Sequence, residues 1–122
     1  MANPNARAGK IFFKVDGTQY DAKGGFTYNL GKDKKEGMVG HDKVHGYKIT
    51  PQIPFIEGEI TDHSKLDVAK LLELDDVTIT LELANGKTIL LRNAWYAHEG
   101  TAGTEEGNIP VRFEGLSAEE VK

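Results

Sequence analysis

Seven polar side chains that could bind a metal or exchange protons lie close together near the middle of the sequence. They are His41, Asp42, His45, Glu57, Glu59, Asp62 and His63. Imidazole nitrogens and carboxylate oxygens are common ligands of zinc and manganese, and two carboxyl groups can act together as general acid and base. The first question is therefore whether this stretch forms a metal site or a catalytic site.

The local sequence argues against both kinds of site. His41 and His45 are four residues apart, a spacing that brings ligands together on a helix, but the glycines around them disfavour a helix. Glu57 and Glu59 lie in an alternating segment, which predicts the exposed face of a strand rather than two carboxyl groups with separated pKa values. We therefore predict no catalytic, cofactor or metal-binding residues and no enzymatic activity.

The composition is that of one soluble globular domain. Among the 122 residues, 39% are hydrophobic and 28% are charged, and there is no cysteine, so disulfides and thiolate zinc sites are excluded. The net charge of −4 disfavours general binding to nucleic acid phosphates. Apolar runs such as 89–91 are far shorter than the roughly 20 residues of a membrane span, and we expect no secretory signal.

Two β-hairpins are predicted from turn residues and alternating apolar positions. Asp16-Gly17 is typical of a two-residue hairpin turn. The pairs predicted around this turn are Val15 with Thr18, Phe13 with Tyr20, and Ile11 with Ala22. In the second hairpin, a three-residue turn at 84–86 keeps all apolar side chains on one face, whereas a two-residue turn mixes the faces. The three-residue turn pairs Leu81 with Ile89 and Ile79 with Leu91.

The remaining segments are less regular. Residues 31–45 are rich in glycine and lysine and predict a long loop, with apolar Met38 and Val39 as a sign that it docks on another surface. Residues 61–74 predict the only helix, with Asp62 or Ser64 as its N-cap. The predicted buried stripe of that helix consists of Leu66, Ala69, Leu71 and Leu72. A last strand is expected in "NIPVRFEG", and the tail 116–122 is expected to be loose or weakly helical.

Six to eight short strands and one helix predict a mainly β fold. Because the strands are connected by short turns, the sheets are expected to be antiparallel and packed as a β-sandwich or partly open barrel. The whole chain, 1–122, is expected to be one domain, with flexible ends at 1–8 and 116–122. A small β domain without catalytic groups is typical of proteins that work through contacts with other proteins.

Several stretches, taken in order, resemble the tail tube protein of Mu-like contractile-tail bacteriophages. They are "GKIFFKVDGTQYDAKGGFTYNLG", "HGYKITPQIPFIEGEITD", "LDVAKLL", "VTITLELANGKTILLRNAW" and "EGNIPVRFEG". The resemblance implies two packed sheets and a helix, six copies in a ring, and rings stacked into a hollow tube through which DNA passes without specific binding. It also implies sheath, baseplate and tail terminator proteins as partners, location in the virion, and synthesis in the bacterial host cytoplasm.

The resemblance assigns expected roles to two groups of residues. Contacts between subunits or rings are expected from Lys34, Lys35, Met38, Val39, His41 and His45. Charges on the channel wall or another wet face are expected from Glu57, Glu59, Glu82, Arg92, Arg112 and Glu114. Acidic residues on the wall would repel phosphate and help DNA to slide, and the two arginines could pair with glutamates of a neighbouring subunit.

Three other functions remain open from the sequence. The chain could be a monomeric β-barrel binding module that uses Trp95 and Tyr96 as a ligand platform. It could be a small metal-dependent hydrolase that uses His41, His45 and the glutamates. It could also be the tube subunit of a phage-tail-like bacteriocin or secretion system.

Overall fold

The computed structural model describes residues 9–122, which form ten β-strands and one short α-helix. In chain order these are β1 (Phe12–Val15), β2 (Thr18–Tyr20), β3 (Ala22–Asn29), β4 (Lys34–Val39), β5 (Val44–Thr50), β6 (Phe55–Thr61), α1 (Val68–Leu72), β7 (Val77–Glu82), β8 (Thr88–Tyr96), β9 (Asn108–Glu114) and β10 (Ser117–Val121). Every strand pairing is antiparallel. The predicted class, mainly β with one helix and two antiparallel sheets, is confirmed.

Strand β8 connects the two sheets of the sandwich. One hydrogen-bonded path runs β2-β1-β7-β8-β9-β6-β3, and β10 pairs with β8 beside that path. The first half of β8 lies between β7 and β10, and its last residues, Trp95 and Tyr96, pair with β9. Asn93 has a φ of 52°, and the register against β7 shifts between Val77 and Ile79. This bulge bends β8 from the first sheet into the second.

The core fills the space between the two sheets. Buried and partly exposed residues alternate along β7 and β9, so each strand turns one side inward. Phe13 is fully buried, with ring centroids 5.0 Å from Phe26, 5.9 Å from Phe113 and 6.2 Å from Tyr20. The buried core residues are Phe13, Val15, Ile56, Ile60, Leu71, Val77, Ile79, Leu81, Ile89, Leu91, Ala94, Ile109, Val111 and Phe113.

Both predicted hairpins are present. Asp16 and Gly17 have φ angles of 48° and 87°, as a two-residue hairpin turn requires, and Val15 pairs with Thr18. The second hairpin has the predicted register, with Leu81 opposite Ile89 and Ile79 opposite Leu91. One predicted pair is wrong: Ala22 does not continue the first hairpin opposite Ile11 but begins β3 opposite Ile60 of β6, because the chain crosses to the second sheet there.

The helix is shorter than predicted. It covers only Val68–Leu72, and its N-cap is Asp67 rather than the predicted Asp62 or Ser64. The Asp67 carboxylate accepts a hydrogen bond from the Lys70 amide at 3.2 Å. With so few residues, α1 buries Leu71 alone and leaves Ala69 and Leu72 exposed. In the described part of the chain, no helix has the length and apolar character needed to cross a membrane.

The C-terminal tail is a strand rather than a loose or weakly helical segment. Ser117–Val121 form β10 and pair with β8, with Ala118 opposite Leu91. Gly115 makes the close approach possible, because a Cβ atom there would lie 2.8 Å from the Arg92 carbonyl oxygen. The predicted flexible segment 1–8 lies outside the described residues.

Gly58 provides a test of the packing between β6 and the Phe26 ring. A Cβ atom at Gly58 would lie 2.5 Å from Phe26 ring atoms, so Gly58→Ala should lower the free energy of unfolding by about 1–3 kcal/mol. The matched control is Gly37→Ala, because Gly37 also lies in a strand but its Cβ would meet no atom within 4 Å. Urea unfolding of both variants measures the difference, and equal midpoints would contradict this packing.

Candidate assembly surfaces

Residues 31–50 form a β-hairpin, which we call the arm. Among residues 9–122, strands β4 and β5 pair only with each other and make a two-stranded sheet separate from the eight-stranded path. The prediction of a long loop over Gly31–His45 is therefore wrong: cross-strand pairing gives most of this segment regular structure. At its base, Gly31 has a φ of 75° and lies close against Pro54, and the Gln52 side chain donates to the Lys32 carbonyl oxygen at 2.9 Å.

One face of the arm is apolar and exposed. Val39, Val44, Tyr47 and Ile49 lie on this face and are 76%, 67%, 55% and 59% exposed. Lys35 lies on the same face, with its Nζ 5.2 Å from the centre of the Tyr47 ring. Four exposed apolar side chains in one short hairpin are typical of a surface that contacts another molecule.

The opposite face of the arm is charged. Glu36 lies between two lysines, 3.6 Å from Lys34 Nζ and 3.4 Å from Lys48 Nζ. Met38 is also on this face, because it pairs opposite Gly46 and alternates with Val39. The predicted contact residues Lys34 and Met38 therefore point away from Lys35 and Val39.

The tip of the arm is a turn with a bulge. The Gly40 amide donates to the Lys43 carbonyl oxygen at 2.8 Å, and His45 Nε2 lies 3.1 Å from Asp42 Oδ1. The His45 ring occupies the space beside Gly40, and His41 is exposed at the turn. Within residues 9–122, no three histidine, aspartate or glutamate side chains come together as a possible metal site.

The outer face of the second sheet is organised around Arg112. Its guanidinium group lies 4.0 Å above the Phe55 ring and contacts carboxylate oxygens of Glu114 at 3.0 Å and Glu57 at 3.4 Å. Glu59 lies on the same face and accepts a hydrogen bond from the Asn108 side chain at 2.8 Å. Four of the predicted wet-face charges thus share one surface, and Arg112 pairs with glutamates of its own chain.

The Arg112 group should make a modest contribution to stability. Arg112→Met should lower the free energy of unfolding by about 1 kcal/mol, since the arginine side chain is 25% exposed and has two carboxylate partners. Arg92→Met is the control, because Arg92 and its partner Glu119 are half exposed, and it should change stability by less than about 0.5 kcal/mol. Thermal unfolding at low and high salt measures both values. A larger loss for Arg92→Met would contradict this ranking.

The other two predicted charges lie on the outer face of the first sheet. Lys14 Nζ donates to Glu82 Oε2 at 2.7 Å, and Arg92 forms an ion pair with Glu119 of β10. Because Glu82 is on the first sheet and Glu57 is on the second, the six predicted residues cannot form a single charged surface.

Trp95 and Tyr96 do not form a shared platform. They are consecutive residues of a strand, and Trp95 pairs opposite Glu114 on the outer side while Tyr96 pairs opposite the buried Phe113. The Tyr96 ring packs edge-to-face on Phe113 at 5.4 Å, and its hydroxyl donates to the Pro110 carbonyl oxygen at 2.9 Å. Burial raises the pKa of the Tyr96 phenol above its ordinary value. This geometry gives no support to the ligand-platform hypothesis.

The sequence of nearly the whole chain matches a known family. Residues 4–120 match the family described as phage tail tube protein. The chain belongs to the phage tail tube family. Its similarity to the tail tube protein of Escherichia phage Mu is 25% identity over 95 residues, covering 78% of this chain and 80% of that protein. A Mu-like prophage FluMu tail tube protein of Haemophilus influenzae is 22% identical over 114 residues, covering 93% and 95%.

Solved structures with the same fold come from contractile injection systems. The sheath/tube terminator of the extracellular system PVC, in its extended state, superposes on this tail tube family member with a TM-score of 0.66 at 9% identity, covering 93% and 94% of the two chains. The tube terminating cap of the anti-feeding prophage gives 0.63 at 8% identity, covering 92% and 87%. At these identities the likeness concerns the fold alone.

The sequence prediction includes only one of the four apolar side chains on this face of the arm, Val39. Tyr47 and Ile49 follow the segment 31–45 that is predicted to dock, and Val44 lies inside that segment but is not among its predicted contact residues. The available signal was the alternation in "VHGYKIT", which places Tyr47 and Ile49 on one side and Lys48 on the other. Pairing this segment with "KKEGMV" across a short turn predicts the arm.

Proposed function

We propose that this chain is a structural subunit of a phage tail tube. Six copies assemble into a ring, and rings stack into the hollow inner tube of a contractile tail, through which DNA passes into the host. The proposal is supported by the family match over residues 4–120 and by relatives named as tail tube proteins. Its partners are further copies of itself and the sheath, baseplate and tail terminator proteins; the subunit is made in the host cytoplasm and becomes part of the virion.

The exposed apolar face of the arm is the main structural support for self-assembly. Its apolar face, with Val39, Val44, Tyr47 and Ile49, is exposed on the single chain, where hydration of these side chains is unfavourable. Contact with another copy buries this face. The predicted contact residues Lys34, Lys35, Met38, Val39, His41 and His45 all lie on the arm, on both of its faces and at its tip.

In the part of the chain that the structure describes, several strands have one edge without a partner strand, which supports sheets that continue from copy to copy around a ring. Strands β2 and β3 end the hydrogen-bonded path, and β10 pairs on one side with β8. Edge strands present unpaired amide and carbonyl groups that can pair with a strand of another chain. Pairing between different edges of adjacent copies is heterologous, and such contacts close into a ring when the rotation between copies allows it.

We assign the outer face of the second sheet to the channel wall. The formal charge of that face is −1 per copy, from the acidic Glu57, Glu59 and Glu114 and the basic Lys23 and Arg112. The outer face of the first sheet is neutral, because Lys14 and Arg92 balance Glu82 and Glu119. An acidic wall repels phosphate and lets DNA slide. In this assignment Glu82 and Arg92 face away from the channel.

The wall assignment can be tested on assembled tubes. Tubes of the variant Glu57→Lys/Glu59→Lys should retain short duplex DNA in a cosedimentation assay, and wild-type tubes should not. The control is the variant Glu82→Lys/Glu119→Lys, which has the same change of charge on the first sheet. Tubes of this control should hold less DNA in their interior. Nuclease digestion removes the external DNA, so that the protected DNA measures the amount inside. Equal amounts of nuclease-protected DNA in tubes of the two variants would contradict the assignment of the second sheet to the channel wall.

Sedimentation velocity of the purified chain tests the proposed function. As the concentration rises, the monomer peak should give way to a discrete ring-sized species and then to rapidly sedimenting tubes. A single monomer peak over the whole accessible concentration range would contradict self-assembly.

A further inference from the structure

Charge is unevenly distributed along the chain. The arm, residues 31–50, has five lysines and three acidic residues, a net charge of +2. Residues 62–76 and 97–107 together have eight acidic residues and two lysines, a net charge of −6. The rest of the chain is formally neutral, with eight basic and eight acidic residues. The net charge of −4 therefore results from a basic arm and one strongly acidic region.

The two acidic segments form one surface, which we call the helix flank. The Tyr96 amide donates to the Leu74 carbonyl oxygen at 3.1 Å, and the Asp62 amide donates to that of Gly107 at 2.8 Å. Between these points, Gly100 lies against the Leu72 side chain, where a Cβ atom would collide with it. Helix α1 and the loop 97–107 are thus held side by side, with the half-exposed Leu72 between them.

Three of the five lysines of the arm form no ion pair with the described residues. These are Lys32 at the base, Lys35 on the apolar face and Lys43 at the tip. Lys34 and Lys48 on the charged face already share Glu36. The arm therefore presents apolar side chains together with ammonium groups that have no carboxylate partner, a combination that fits an acidic surface with an exposed apolar side chain.

We propose that the arm of one copy docks on the helix flank of a second copy. The inference rests on the proposed function, because it names the surface that receives the arm during self-assembly. Opposite charges bring the two surfaces together, and Tyr47 and Ile49 cover the Leu72 side chain, which is 37% exposed. Since arm and flank are different surfaces, each copy can give its arm to one neighbour and receive the arm of another, which makes the contact heterologous.

Charge reversal on each surface tests the contact. The arm variant is Lys35→Glu/Lys43→Glu, which changes the net charge of the arm to −2. The flank variant is Glu73→Lys/Asp75→Lys/Glu99→Lys/Glu105→Lys, which changes the net charge of the helix flank to +2. All six positions are exposed, so both chains should fold. Each variant alone places like charges across the contact and should need at least about tenfold more protein to assemble, whereas a one-to-one mixture should assemble near the wild-type concentration. The control Lys10→Glu/Lys122→Glu matches the charge change of the arm variant and should assemble like the wild type.

The outcomes separate this inference from the proposed function. We expect the mixture to assemble, with the two variants alternating in the assembly. A different tag on each variant detects this alternation. If the wild type assembles and either variant alone assembles equally well, or if the mixture is not rescued, the docking contact is overturned while the tube function stands. If the wild type does not assemble at any concentration, both proposals are overturned.

Discussion

Replacing Phe13 with alanine should lower the free energy of unfolding by about 3–5 kcal/mol. Phe13 is fully buried on β1, and its ring packs between those of Tyr20, Phe26 and Phe113, which come from both sheets. Truncation at this point leaves a cavity where the two sheets meet. For a domain of this size the loss is a large part of the total stability, and urea unfolding followed by tryptophan fluorescence measures it.

The adjacent residue provides a matched control. Phe12 has the same side chain one position earlier, but it lies on the outer face of the first sheet and is 43% exposed. Phe12→Ala should lower the free energy of unfolding by no more than about 1 kcal/mol. Equal losses for the two variants would show that Phe13 is not at the centre of the core.

Replacing Tyr47 and Ile49 together with serine should abolish assembly without unfolding the chain. Both side chains are more than half exposed on the single chain, so their loss removes little folding energy. In the contact that we propose they are the central apolar anchors, where each truncation is expected to weaken binding by about 2 kcal/mol or more. Sedimentation velocity should then show monomers at concentrations about a hundredfold above those at which the wild type assembles.

The control for the arm variant changes the opposite face of the same strand. Lys48→Ser/Thr50→Ser alters two residues that alternate with Tyr47 and Ile49 and removes one of the ion pairs of Glu36. These chains should assemble at nearly the wild-type concentration. If both double variants fail to assemble equally, the apolar face is not the specific contact surface of the arm.

Local sequence signals determined the parts of the fold that could be predicted. Asp16-Gly17 gives the first turn because both residues must adopt positive φ angles there, and Gly86 does the same in the second hairpin. The register of β7 and β8 followed from the requirement that Leu81 and Ile89 face the same side. In each of these cases the turn residues and the apolar alternation favour one arrangement.

Other elements depend on partners that are distant in sequence. The tail strand β10 has only Ala118 and Val121 as apolar residues, and its strand structure comes from pairing with β8. Before helix α1, the Asp62 amide donates to the Gly107 carbonyl oxygen of a later loop, and the Leu66 amide donates to the His63 carbonyl oxygen in a separate turn. The arm has little apolar content on β4, and its structure depends on the pairing of β4 with β5. Sequence patterns within one segment do not contain this information.

The candidate surfaces were predicted in part. Alternation correctly placed Glu57, Glu59 and Arg112 on the side of a strand that does not face the core, and Glu82 and Arg92 likewise. It could not assign these two sets to different sheets, since that depends on the bend in β8 at Asn93. The acidic helix flank also required the fold, because its two segments are separated in sequence by β7 and β8.

Electron microscopy of the concentrated, negatively stained wild-type protein tests self-assembly into a tube most directly. We expect hollow tubes or rings whose end views have six-fold symmetry and a central channel. The Tyr47→Ser/Ile49→Ser variant on a parallel grid should show only compact single particles. A field of compact monomers from the wild-type protein, at concentrations where its fold is intact, would contradict the proposed function.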